Sequence, residues 1–281
     1  MGGNVFKTPE KEPLTQRIPT KAVHPTIQFI EKITGLTFDE EDWLGTTGKK
    51  NDPDGAFEKN SSGDLDLNTD ANKVSKEQLI AKLSAWLTSQ GIPDDQIMNM
   101  SKKDMIAKTG DKSALPFTGG YIHDAGDQVH FRTPIQGGEG YVQTDFMFTL
   151  DPAYQRGAKR GGTVAYSGRE RAVLLSSIAR ARGYKFSPKF GLQDPETGDM
   201  VSNDWDEIAK LLLGKTAREV DTHTVESIIA VLKKDPDYEK LVAKAREDFA
   251  KGGKVLPESV ETLADKNYQR IVELLSKMDD R

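Results

Sequence analysis

Ser62-Gly63-Asp64-Leu65-Asp66-Leu67-Asn68 alternates acidic and apolar side chains, as a half-buried β-strand does. Successive side chains of a strand point to opposite faces, so Asp64 and Asp66 are predicted to share one face, with Leu65 and Leu67 packed behind them. The Cα atoms of the two acids would lie about 6.5–7 Å apart, which lets both carboxylates converge on a hard cation. This pair suits the chemistry of magnesium with a phosphate ester.

Two common ion-binding and phosphate-binding motifs are excluded in this region. A calcium-binding loop that starts at Asp64 would need Gly where Thr69 stands and a bidentate Glu where Ser75 stands. A P-loop needs four residues between its two glycines, but only two separate Gly45 from Gly48. Neither motif explains the conjunction of a Gly-Thr-rich turn with a following acidic strand.

A third acid is predicted on a strand of its own. Residues 128–135 and 140–150 have the composition of two strands, and the intervening Gln136-Gly137-Gly138-Glu139 predicts that they form a hairpin. Asp145 lies in the second strand among apolar and aromatic residues. A carboxylate buried there is costly unless a cation or a basic side chain offsets its charge.

The composition indicates a globular protein without a general attraction to polyanions. The chain has 281 residues, long enough for two domains, and a net charge of −5. Cysteine is absent, which excludes disulfides and thiolate metal sites. No apolar run reaches the roughly 18 residues of a membrane span, and no signal-peptide core is present, so we expect a cytoplasmic protein with no membrane partner.

The predicted fold class is α+β, with a small mixed sheet flanked by helices and followed by a helical domain. Residues 1–24 are predicted to be an N-terminal arm over the surface, because their prolines and glycines show no period. A short helix is predicted from Pro25 to a cap at Gly35. A second should begin at the capping box of Ser75 and Gln78 and end at Gly91. Residues 25–155 would form the core domain.

The second half of the chain is predicted to be mostly helical, over residues 156–281. Its first part, residues 156–189, is rich in arginine and lysine and forms a local basic patch. Residues 191–201 are predicted to form a turn or small hairpin. The helices are predicted at residues 172–181, 204–213, 224–234, 238–251 and 258–278.

Three segments together resemble the nucleotidyltransferase superfamily of the DNA polymerase beta type. That superfamily has a Gly-Ser or Gly-Gly turn, then Asp-x-Asp on one strand and a third Asp on a neighbouring strand. The likeness is closest to nucleotidyltransferases of tailed bacteriophages and covers most of the chain. Its segments are Leu44-Gly45-Thr46-Thr47-Gly48-Lys49-Lys50, Ser62-Gly63-Asp64-Leu65-Asp66-Leu67 and Val142-Gln143-Thr144-Asp145-Phe146-Met147-Phe148.

The resemblance implies a site of metal-binding carboxylates beside a phosphate-binding turn. Asp64, Asp66 and Asp145 would be the catalytic residues and metal ligands, holding two Mg²⁺ ions about 3.5–4 Å apart. Asp145 could also accept the proton of the attacking hydroxyl. The remaining predicted contacts, to the phosphates of the nucleotide, come from Gly45, Thr46, Thr47, Gly48, Lys49 and Arg171.

The implied reaction moves a nucleoside monophosphate from an NTP, such as ATP, to an acceptor hydroxyl and releases pyrophosphate. Mg²⁺ is the implied cofactor, with Mn²⁺ as an alternative ion. The acceptor stays open among a nucleic-acid end, a protein and a small molecule, and so does the oligomeric state. If a bacteriophage encodes the chain, the expected location is the host cytoplasm. Two departures from the superfamily pattern are Thr46 in place of Ser and a longer gap from Thr46 to Asp64.

A second class of function is also consistent with the sequence. If arginines such as Arg132 and Arg171 pair with the acids, the chain would be a non-catalytic protein on a degenerate nucleotidyltransferase scaffold. Its role would then be nucleic-acid binding or virion assembly. Binding of Mg²⁺ and ATP separates the two classes, because only the enzyme requires both.

Overall fold

The computed structural model describes residues 5–45, 47, 61–163 and 168–237. The chain divides into two compact units, with the boundary between Pro152 and Ala153. Both helices and strands occur in each unit, so the predicted α+β class is confirmed. Within these described ranges no helix combines the length and the apolar character needed to cross a membrane.

The strands of the first unit are β1 (Ile18–Pro19), β2 (Trp43–Leu44), β3 (Ser61–Ser62), β4 (Leu65–Asp70), β5 (Ile122–Ala125), β6 (Gln128–Pro134) and β7 (Tyr141–Thr149). A five-stranded mixed sheet with the order β2-β4-β7-β6-β5 forms the centre of the unit. β4 and β7 are parallel, and the other neighbours in this sheet are antiparallel. A separate two-stranded ribbon pairs β1 with β3.

One face of this sheet is the hydrophobic core of the unit. Helices α1 (Thr20–Thr34) and α2 (Lys76–Ser89) pack on it, and α3 (Lys102–Thr109) follows them in the chain. Trp86 of α2 makes edge-to-face contacts with Phe29 of α1 and Phe131 of β6. The opposite face is therefore the one that can present polar side chains.

The first helix begins earlier than predicted. It starts at Thr20, so Pro25 lies inside α1 and not in its first turn. Ala22 and Val23 are buried with the rest of the apolar stripe, and this burial offsets the hydrogen bond that Pro25 cannot donate. The predicted cap is confirmed, because Gly35 is left-handed with φ of 67° and donates its N–H to the Glu31 carbonyl.

The N-terminal segment is more firmly attached than a surface arm. Phe6 and Ile18 are fully buried, and Ile18 is paired with Ser62 in the β1–β3 ribbon. The backbone N–H of Lys7 donates to the carbonyl of Thr118. The buried side chains of Phe6 and Ile18 thus attach a segment whose prolines and charges predict no regular structure.

The predictions for α2 and for the hairpin are confirmed. Ser75 and Gln78 form both hydrogen bonds of a capping box at the start of α2. β6 and β7 pair as antiparallel neighbours, from Gln128 opposite Met147 to Pro134 opposite Tyr141. The strand register is therefore set by the four-residue connection between them.

The second unit contains a sheet as well as helices. The prediction of a mostly helical domain missed β8 (Lys185–Ser187). This strand joins the predicted hairpin of β9 (Gly191–Gln193) and β10 (Met200–Ser202) in a three-stranded antiparallel sheet. The predicted helices at 238–251 and 258–278 lie outside the described residues. Its elements, with α4 beginning at the boundary, are α4 (Pro152–Ala158), α5 (Gly168–Ala181), β8 (Lys185–Ser187), β9 (Gly191–Gln193), β10 (Met200–Ser202), α6 (Trp205–Leu213) and α7 (Val225–Leu232).

Candidate metal site

The pairing of β4 with β7 brings the distant acids together. Asp66 and Asp145 are direct partners in this parallel ladder. Leu65 and Leu67 point to the other face and are fully buried in the core, as the alternation predicts. Asp64 immediately precedes β4, two residues from Asp66 and on the same face.

The three aspartates form a compact cluster of carboxylates. One oxygen from each of Asp64, Asp66 and Asp145 lies within 4.8 Å of the other two. Asp145 is buried, while Asp64 and Asp66 are half-buried, so the cluster is open to solvent at one side. Carboxylates this close repel one another, and a divalent cation removes that repulsion. The all-oxygen donor set fits Mg²⁺ or Mn²⁺ and not a thiolate-seeking metal.

Gly45 packs directly against the carboxylate of Asp66. It follows β2, whose Leu44 is paired with Asp66, and it adopts a φ of +56°. A Cβ atom at this position would lie 2.7 Å from Oδ2 of Asp66. A side chain is thus disfavoured here by the backbone conformation and by the acid.

Thr47 fixes the backbone that carries the two acids. Its hydroxyl accepts the N–H of Asp66 at 2.9 Å and lies 3.4 Å from the carbonyl of Asp64, to which it can donate. The side chain is almost completely buried. The structure thus gives Thr47 a structural role beside the carboxylates. Its predicted phosphate contact, like that of Gly45, stays a prediction.

Asp145 has two polar partners of its own. Nδ1 of His130 lies 2.7 Å from Oδ1 of Asp145, and the amide nitrogen of Gln143 donates to the same oxygen at 2.7 Å. Both partners are buried. The basic neighbour that a buried carboxylate requires is therefore a histidine.

A second histidine lies next to His130, on the neighbouring strand of the sheet. His123 on β5 is paired with His130, and their rings stack with centroids 5.6 Å apart. Burial lowers the pKa of His123 below its ordinary value, and the nearby His130 acts in the same direction. Burial and His130 thus both favour the neutral form of His123.

The two arginines considered as partners of the acids are engaged elsewhere. The guanidinium of Arg132 lies over the rings of Tyr121 and Tyr141, and it donates to the carbonyl of Gly119. Arg171 belongs to the second unit and is 1% exposed. Neither arginine forms an ion pair with the three aspartates among the described residues.

The contacts of Arg171 are to backbone carbonyls and to an aromatic ring of the second unit. Its Nε donates to the carbonyl of Thr222 at 2.5 Å and its Nη1 to the carbonyl of Gly157 at 2.9 Å, while the guanidinium faces Trp205. Burial lowers the pKa of Arg171 to about 10, and Arg160 acts in the same direction. These contacts engage Nε and Nη1 within the second unit, while the buried Nη2 has no hydrogen-bond partner among the described residues. The predicted phosphate contact of Arg171 stays a prediction, as do those of Thr46, Gly48 and Lys49, which lie outside the described residues.

The sequence analysis missed His130 as the partner of Asp145, although the sequence contains the signal. In the hairpin, Ile135 and Gly140 flank the four-residue connection. Counting back from that pair along both strands places His130 opposite Asp145. Gln143 is two residues before Asp145 and therefore shares its face.

The sequence matches none of the protein-family models, and no curated protein is significantly similar to it. The geometry of the site therefore carries the functional argument.

Proposed function

We propose that this protein is a magnesium-dependent nucleotidyltransferase of the DNA polymerase beta type. It would transfer a nucleoside monophosphate from an NTP to an acceptor hydroxyl and release pyrophosphate. The observation that carries the proposal is the convergence of Asp64, Asp66 and Asp145, whose ligand oxygens lie within 4.8 Å of one another. Asp66 and Asp145 meet on adjacent strands, as the resemblance implies for the Asp-x-Asp pair and the third acid.

The chain's own residues would hold the ions and the nucleotide. Asp64, Asp66 and Asp145 would ligate Mg²⁺, which when bound offsets the charge of the triphosphate and activates the attacking oxygen. Gly45 places no side chain of its own against Oδ2 of Asp66. Thr47 holds the backbone of the two acids in place through the N–H of Asp66. The turn that contains Gly45 and Thr47 is the candidate contact for the phosphates.

The reaction balances without a further reactant. The acceptor oxygen forms a bond to the α-phosphorus, and the bond from that phosphorus to the bridging oxygen of the β-phosphate breaks. Pyrophosphate leaves with the electron pair, and the proton of the hydroxyl passes to a base or to solvent. The three carboxylates are suited to this displacement because its charge develops on oxygens that divalent ions bind.

The proposal predicts that Mg²⁺ and ATP stabilise the protein together more than either does alone. A ligand present at 100 times its dissociation constant raises the free energy of unfolding by about 2.7 kcal/mol. Thermal unfolding with each ligand and with both measures this effect. Asp66→Asn and Asp145→Asn should abolish it, while Asp95→Asn, an exposed acid outside the cluster, should leave it unchanged.

Activity is tested by measuring the release of pyrophosphate and the transfer of label to an acceptor. The protein is incubated with each labelled NTP and with RNA, DNA and protein acceptors, and the labelled product is identified. We expect label on one acceptor class, lost in Asp66→Asn. A protein that shows neither synergistic stabilisation nor transfer would contradict the proposal and would favour the non-catalytic binding role.

A further inference from the structure

The carboxylate of Asp145 is held at one of its two oxygens only. His130 and Gln143 both contact Oδ1, each at 2.7 Å. Oδ2 has no hydrogen-bond partner among the residues that the structure describes. A carboxylate held in this way cannot rotate freely, and one oxygen remains for another ligand.

The orientation of the Gln143 amide follows from its other contact. The backbone N–H of Val5 donates to Oε1 of Gln143 at 3.1 Å. Because a backbone N–H can only donate, this contact assigns the oxygen to the side of Val5 and the NH₂ group to the side of Asp145. The N-terminal segment thereby fixes a donor that points at the acid.

The ring of His130 presents Nδ1 to the acid, 2.7 Å from Oδ1 of Asp145. In the tautomer with its proton on Nδ1, the ring donates to this carboxylate oxygen. The stacked ring of His123 and the strand pairing opposite Asp145 keep the imidazole in this orientation. Gln143 and His130 thus approach Oδ1 from adjacent strands.

We propose that Gln143 and His130 are positioning residues, which hold Oδ1 of Asp145 so that Oδ2 serves the cation bound by Asp64 and Asp66. This inference rests on the metal site of the proposed function and assigns two residues that neither the resemblance nor the sequence reasoning included. Neighbours that orient a metal ligand affect binding strongly, and their loss costs about 10–100-fold in metal affinity.

The experiment measures the affinity of the full-length protein for Mn²⁺, used as the probe ion, by calorimetry or by the electron paramagnetic resonance of free Mn²⁺. His130→Leu and Gln143→Met remove one donor each at similar size. Each should weaken Mn²⁺ binding by about 10–100-fold. The loss of Mn²⁺ affinity in the double variant should be smaller than the product of the losses in the two single variants, because both donors act on one oxygen.

Two further variants separate positioning from folding. His130→Asn keeps an N–H donor near the position of Nδ1, so it should recover most of the affinity that His130→Leu loses. Gln128→Met removes a half-buried glutamine from the same face of β6, away from Asp145, and should bind Mn²⁺ as the wild type does. Circular dichroism verifies that each variant is folded.

The outcomes distinguish this inference from the proposed function. A wild-type protein that binds no Mn²⁺ overturns both. If the wild type binds Mn²⁺ but folded His130→Leu and Gln143→Met bind it equally well, the positioning role is wrong and the metal site stands. A His130→Asn variant as weak as His130→Leu would also overturn the role of the Nδ1 donor.

Discussion

Gly45 has two separable reasons to be a glycine. Its φ of +56° is left-handed, and its missing Cβ leaves room for Oδ2 of Asp66. Gly45→Ala should lower the free energy of unfolding by about 1–2 kcal/mol through the backbone alone. It should also weaken Mn²⁺ binding by about tenfold or more, because the Asp66 carboxylate must move.

Gly126 provides a matched control for this prediction. Its φ of +58° is nearly the same, but a Cβ there would meet no atom within 4 Å. Gly126→Ala should therefore show a similar loss of stability in urea with unchanged Mn²⁺ affinity. If both variants bind Mn²⁺ equally well, the contact between Gly45 and Asp66 has no part in the site.

At the scale of elements, α2 shows how a local signal produces a helix. The hydroxyl of Ser75 accepts the N–H of Gln78, and the side chain of Gln78 accepts the N–H of Ser75. Ser75→Ala should cost about 1 kcal/mol of stability, and Ser75→Gly only a few tenths. Urea denaturation measures both, and equal stability of wild type and Ser75→Ala would contradict the contribution of the cap.

The elements that sequence reasoning predicted are those with local signals. The capping box of α2, the Gly-rich connection of the β6–β7 hairpin and the Asp204 and Gly214 ends of α6 are all readable within a few residues. The start of α1 was wrong because burial of Ala22 and Val23 outweighs the local effect of Pro25. β8 was missed because its three residues are too few to show an alternating pattern.

The sequence predicted the features of the site that follow from residue type. It did not predict those that depend on the pairing register of the strands or on burial. Alternation along β4 placed Asp64 and Asp66 on one face, and Asp145 was recognised as an acid in need of a partner. That partner, His130, comes from a strand pairing, which single-strand patterns do not contain. Arg171 was considered as a phosphate contact or as a partner of the acids, and its almost complete burial by tertiary packing could not be read from its basic segment.

At the scale of the whole molecule, each unit has its own hydrophobic core, and the candidate metal ligands belong to only one of them. The aspartate cluster lies entirely in the first unit, while Arg171 is buried in the core region of the second. Arg171 joins α5 to the carbonyl of Gly157 in α4 and to that of Thr222, the last residue of a short 3₁₀ helix. Its structural role can therefore be tested without touching the metal ligands.

Arg171→Met should lower the free energy of unfolding by about 2–4 kcal/mol, because two buried carbonyls lose a charged donor. The affinity for Mn²⁺ should stay that of the wild type, since all three aspartates belong to the first unit. Arg169→Met, which changes an exposed arginine two residues away on α5, is the matched control and should alter neither quantity. Urea denaturation gives the stability, and titrations with Mn²⁺ and with Mg²⁺ and ATP give the affinities. If folded Arg171→Met retains wild-type stability but loses ATP binding, its guanidinium contacts the nucleotide, as predicted from the sequence, and the structural role is wrong.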